Sequence, residues 1–169
     1  VFSTRTLLRG SGEETALKSL NEKLLKSLGL VEGVSHTEFI RGEADGIYYF
    51  LETSARVGGA HIADLVEAAT GLNLWAEWAK IETSDSNYAP KPLRNDYAGL
   101  VISLSKQESP DLSAYDDPEV VWRLKKQFHA GIIFRSAHQA RVEELLTRYT
   151  QRFYSEFFTS APLPAKATE

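Results

Sequence analysis

The 169-residue chain contains no cysteine and no methionine. Without cysteine there can be no disulfide framework, thiolate zinc site or thiol nucleophile. Nor does any run approach the roughly 18 apolar residues that a membrane-spanning helix needs. No basic segment followed by an apolar one opens the chain, so a secretory leader is not expected. A basic excess is missing as well: nineteen Lys and Arg stand against twenty-three Asp and Glu, a formal net charge of −4. Nucleic-acid domains usually carry the opposite balance, so no nucleic-acid partner is expected, and no membrane partner. What is present is ordinary for a globular chain, with 43% hydrophobic and 25% charged residues. That is enough apolar material for a core and argues against disorder. The expected location is cytoplasmic.

Local patterns give an order of elements. Residues 1–8 alternate as a strand already under way, and the first residue is Val, so the chain is expected to be a piece of a longer protein. Ser11 and Glu14 form a capping box for a helix over 12–28, with Leu17, Leu20, Leu24, Leu25 and Leu28 on one face and Gly29 as its stop. Val34–Arg41 and Ile47–Ser54 read as a β-hairpin about the polar turn Gly42–Gly46. Helical spacing follows over 61–69, and Asn73 caps a second short helix carrying Trp75, Trp78 and Ile81. A proline-bearing loop spans 83–95, a strand 97–105 and a loop 109–117. Pro118–Lys126 suggests a helical turn, 129–135 a strand and 137–158 a long amphipathic helix. Residues 161–169 read as a flexible tail after a single subdomain over 1–160. The fold class expected is α+β, an antiparallel sheet with helices packed on one face.

The hairpin carries the most chemistry. Glu38 and Glu52 lie equally far in sequence from Asp45, so a turn centred there sets the carboxylates opposite each other. Opposed like charges on one sheet face are destabilising unless a cation sits between them. A hard divalent ion fits, since Mg²⁺ takes oxygen ligands and commonly uses one or two carboxylates plus substrate phosphates. Ser54 points to the same face and offers a neutral oxygen. Arg56 continues that face if the strand runs on, and a guanidinium suits phosphate. Ile40 and Phe50 would supply an apolar floor; His36 would position a phosphate or a carboxylate, or stand there as a bonded bystander, the commoner role for such a residue. On alternation alone, a solvated strand face with the two glutamates merely exposed is the favoured reading. His61 begins a helix nearby, whereas His129 and His138 read as structural. Gly58-Gly59 is too short to mark a phosphate loop by itself.

Three stretches, Gly33-Val-Ser-His-Thr-Glu38-Phe, Tyr49-Phe-Leu-Glu52-Thr-Ser54-Ala-Arg56-Val-Gly58-Gly59 and Leu65-Val-Glu-Ala-Ala-Thr70-Gly71-Leu-Asn73-Leu, resemble the C-terminal part of ATP-grasp ligases. The resemblance covers residues 33–74 closely and the flanking strands more loosely. It implies the C-terminal, large half of the ATP-grasp fold, with ATP and Mg as cofactors. It implies that Glu38 and Glu52 hold Mg²⁺, that Arg56 binds the transferred phosphate or acyl phosphate, and that Ile40 packs under adenine. His36 is placed with the cofactor-binding residues. The family usually has Asn where this chain has Ser54, a shorter oxygen ligand. The stretch Gly59-Ala60-His61 lacks the Glu of biotin-carboxylase-like members, and the run resembles carboxylate–amine ligases and carbamoyl-phosphate-synthase-like members instead. The implied reaction joins a small carboxylate to an amine through an acyl phosphate. The lysines and Gly-rich lid of the companion subdomain lie upstream in such enzymes. The expected partner is therefore the N-terminal part of the same protein, with a homodimer left open. The rival readings are a non-catalytic binding module on the same fold and a metal-dependent hydrolase with His36 as its base.

Overall fold

The computed structural model describes residues 1–84 and 88–160. The expected tail over 161–169 lies outside the described residues. The chain divides into two compact units, one built from Val1–Arg5 together with the chain from Ala98 on, the other from Thr6–Tyr97.

The first unit holds a four-stranded sheet in the order β1-β4-β6-β5, formed by β1 (Phe2–Arg5), β4 (Tyr97–Leu104), β5 (Val120–Arg123) and β6 (His129–Ser136). β1 runs antiparallel to β4, from Phe2 opposite Ile102 to Arg5 opposite Gly99, and β5 runs antiparallel to β6. Helix α4 (Gln139–Glu156) covers one face. Its buried stripe of Val142, Leu145, Tyr149 and Phe153 follows the helical period. Phe134 packs its ring against Tyr149, centroids 5.5 Å apart, and Leu100, Val101, Ile132, Ile133 and Phe134 are all almost wholly buried. A side chain at Gly99 would overlap the Phe134 ring, so only glycine lets ring and strand approach so closely. The helical turn expected over 118–126 is instead strand β5. Val120, Val121 and Trp122 are β-branched or aromatic, and Val120 and Trp122 pair with Phe134 and Ile133.

The second unit holds α1 (Gly12–Ser27), the two-stranded sheet of β2 (His36–Arg41) and β3 (Tyr48–Ser54), α2 (Ile62–Thr70) and α3 (Leu74–Thr83). The Ser11 hydroxyl accepts the Glu14 amide at 3.1 Å, and the Glu14 carboxylate reaches back to the Gly10 amide at 2.7 Å. The Asn73 side chain caps α3 by accepting the Ala76 amide at 3.0 Å. Gly71, with φ of 79°, ends α2 in the left-handed region. Among the described residues no helix is long and apolar enough to cross a membrane.

Candidate functional site

The hairpin turn closes through the Gly42 amide on the Ile47 carbonyl at 2.8 Å and the Gly46 amide on the Gly42 carbonyl at 2.9 Å. Asp45 ties the turn together. Its carboxylate accepts the Ile47 amide at 2.9 Å and the Tyr49 hydroxyl at 2.7 Å. The hydroxyl bond, and then the amide bond, hold the Asp45 carboxyl below the usual carboxylate range. From this turn Arg41 pairs with Tyr48, Ile40 with Tyr49 and Phe39 with Phe50. Carried on unbroken, that register would set Glu38 against Leu51. A β-bulge between Glu38 and Phe39 intervenes, with Leu51 as the extra residue, and beyond it Glu38 pairs with Glu52.

The bulge separates two halves of the hairpin. On its far side Glu38 lies opposite Glu52, Thr37 opposite Thr53 and His36 opposite Ser54. The two threonine hydroxyls hydrogen-bond at 2.8 Å on one face, so the carboxylates, His36 and Ser54 share the other. On the turn side, Phe50 does not join Ile40 as the apolar floor. It pairs with Phe39, their ring centroids 6.2 Å apart, and Tyr49 takes the place beside Ile40. Sequence reasoning missed Tyr49 because nothing in the alternation marks the extra residue. Ile40, Tyr49, Glu38 and Glu52 are all exposed.

β3 ends at Ser54, so Arg56 does not continue the strand as the alternation suggested. The Arg56 amide turns back to the Ser54 carbonyl at 2.9 Å, and its guanidinium donates to the Val57 carbonyl at 3.0 Å. The segment then dips inward at Val57 and Gly58, both buried. Ala60 and His61 follow with φ of 50° and 61°, left-handed values unusual for residues other than glycine. Each such residue costs on the order of 1–3 kcal/mol and persists only where its surroundings fix it. The His61 ring contacts the Asp64 carboxylate at 2.9 Å across the first turn of α2. His36 is four-fifths buried, with Nδ1 3.9 Å from a Glu38 carboxylate oxygen. Its Cδ2 edge faces Gly58, where an added Cβ would lie 3.2 Å away. His129 contacts the Gln127 carbonyl at 2.8 Å, and His138 precedes α4.

The donor set fits a hard divalent cation. Two opposed carboxylates repel without one, and they share their face with a hydroxyl. Among the described residues no cluster of three or more His, Cys, Asp or Glu could hold a metal.

No family model matches the chain, and no curated relative does. Solved structures do match. The L-amino acid ligase of Bacillus licheniformis superposes with a TM-score of 0.67 at 16% identity, over 94% of this chain and 44% of that one. The N5-carboxyaminoimidazole ribonucleotide synthetase of Thermotoga maritima gives 0.66 at 12%, over 88% and 44%. The biotin carboxylase domain of the Hydrogenobacter thermophilus 2-oxoglutarate carboxylase, a structure in complex with MgADP and bicarbonate, gives 0.56 at 15%, over 94% and 39%. This chain has the C-terminal ATP-grasp fold. Identities this low speak for the fold alone. The chain spans less than half the length of these ATP-grasp structures. Within the ATP-grasp fold the carboxylate hairpin and the Arg56 segment belong to the same compact unit.

Proposed function

We propose that this chain supplies the metal and phosphate contacts of an ATP-dependent carboxylate–amine ligase. The observation that carries the reading is the direct pairing of Glu38 with Glu52, achieved through a bulge that a plain hairpin would lack. Opposed carboxylates cost stability, and a site that binds a cation is the use that offsets the cost. Glu38 and Glu52 would hold Mg²⁺, with Ser54 as a further oxygen. When bound, the ion would neutralise phosphate charge. Arg56, at the mouth of the segment leading to α2, would hold the transferred phosphate. His36 lies on the same face at that end, and Ile40 would pack under adenine. The remainder of the enzyme, upstream in the same protein, would supply the rest of the nucleotide site.

The chemistry balances in two steps. A substrate carboxylate oxygen bonds to the γ-phosphorus of ATP as the bond to ADP breaks. The amine nitrogen then bonds to the acyl carbon as phosphate leaves and the amine loses a proton. Holding both reactants in line and screening their charge supplies most of the acceleration.

The test is Glu52→Gln in the full-length protein. Carboxylate-dependent ATP turnover is expected to fall by about two or more orders of magnitude with the circular dichroism spectrum unchanged. Wild-type turnover would rule out the metal role. Absence of Mg²⁺-dependent nucleotide binding in the wild-type protein would favour a non-catalytic binding module instead.

A further inference from the structure

We infer that His36 is a positioning residue that couples the carboxylate pair to the phosphate-binding segment, acting through Glu38 and Gly58 without itself touching the nucleotide. The inference rests on the reading of the site given above and deepens it.

Three observations meet at this side chain. Its ring nitrogen Nδ1 lies 3.9 Å from a Glu38 carboxylate oxygen, beyond a direct hydrogen bond but within the range of a charge contact. Its opposite edge, at Cδ2, lies against the backbone of Gly58, where even a methyl group would be crowded by His36 and by Ile62. The side chain is four-fifths buried, which leaves little of it for a ligand. One ring is therefore wedged between a candidate metal ligand and the loop that carries Arg56.

That loop needs a wedge. It descends from β3 to α2 through the consecutive left-handed residues Ala60 and His61, a conformation that only its surroundings maintain. On the α2 side it is fastened by the Ile62 amide on the Gly59 carbonyl at 2.9 Å and by the His61–Asp64 contact. On the hairpin side the His36 edge against Gly58 is the matching fixture. A shift of the His36 ring would release the loop and the Glu38 carboxylate together. The distance between metal and phosphate contacts would then be set by a single side chain that borders both. Residues that orient ligands in this way typically change metal affinity or activity about 10–100-fold when removed.

The experiment compares His36→Ala, His36→Phe and Arg56→Lys in the full-length protein. The first readout needs no activity: exchange of the Arg56 and Ile62 amides, which bond the Ser54 and Gly59 carbonyls at the two ends of the loop, by mass spectrometry. His36→Ala is expected to speed it about ten-fold, and His36→Phe, which keeps a ring against Gly58, to leave it near wild type. The second readout is Mn²⁺ affinity in the presence of ATP, by electron paramagnetic resonance. His36→Ala is expected to weaken it about ten-fold. Combined with Arg56→Lys, the loss should be smaller than the product of the two single losses, because both act on one loop. Unchanged exchange of the Arg56 and Ile62 amides in His36→Ala, or strictly multiplicative losses, would overturn the inference. If Glu52→Gln abolishes turnover and His36→Ala does neither of these things, only the role of His36 fails. If Glu52→Gln keeps full turnover, the reading of the site fails first.

Discussion

At the scale of single residues, Leu51 decides whether the two glutamates meet. Symmetry about Asp45 predicts that they do, and they do, but the turn itself is closed one register away. The prediction succeeds at Glu38 and Glu52 and fails at Phe50 for the same reason, the unmarked bulge. Bulges need no particular residue type, so the sequence offers no signal for one here. The opposed carboxylates carry an expectation about stability as well as activity. In metal-free protein, Glu52→Gln removes a like-charge pair and is expected to raise stability by about 0.2–1 kcal/mol, read from chemical denaturation. Added Mg²⁺ with nucleotide should stabilise the wild type and not the variant. A variant less stable than wild type without metal would mean that the two charges do not oppose each other in solution.

Among the elements, helices were the most legible, because caps and stripes are written locally. Ser11, Asn73 and the stripe of α4 behave as their positions require. Strand β5 was not legible, because Pro118 and the charged residues around it resemble a helix start until Phe134 and Ile133 are there to pair with. The loop before β5 also hid a partly buried anchor. Asp117 accepts hydrogen bonds from the Tyr149 hydroxyl, from Arg148 and, at 2.9 Å, from Arg141. The Tyr149 bond above all, then the Arg148 guanidinium, hold the Asp117 carboxyl down to about 2. A depressed carboxyl stabilises the fold above its unfolded value near 4 and loses that contribution as pH falls toward 2. Asp117→Asn is therefore expected to cost about 1–2 kcal/mol at neutral pH and to flatten the decline in stability between pH 4 and 2. An unchanged acid limb in urea denaturation would refute the assignment. Gly99→Ala forces a methyl group into the Phe134 ring and toward Val142, and should cost about 1–3 kcal/mol by the same measurement.

For the molecule as a whole, the division into two units was invisible in the sequence. The first crossing falls where β1 ends at Arg5 and the second inside β4, between Tyr97 and Ala98, so neither lies within the proline-bearing loop that would have suggested a linker. The units differ in how firmly they are built. β4 and β6 are buried over consecutive residues, whereas most residues of the β2–β3 hairpin are exposed. A two-stranded sheet is marginal by itself. Amides of β2 and β3 should exchange at least about 100-fold faster than those of β4 and β6, and Mg²⁺ with ATP should slow them in the full-length protein. Equal exchange in the two sheets would contradict that picture. The order in which the chain is made adds a consequence. Arg5 and Gly99 are direct partners in the sheet, so everything between them leaves and re-enters at neighbouring points. On the ribosome β1 emerges first and stays without its partner until β4 follows, while all the residues of the hairpin unit are already out. The carboxylate hairpin therefore has the opportunity to form before β4 pairs with β1, and the time taken to translate the residues between them sets how long β1 waits unpaired.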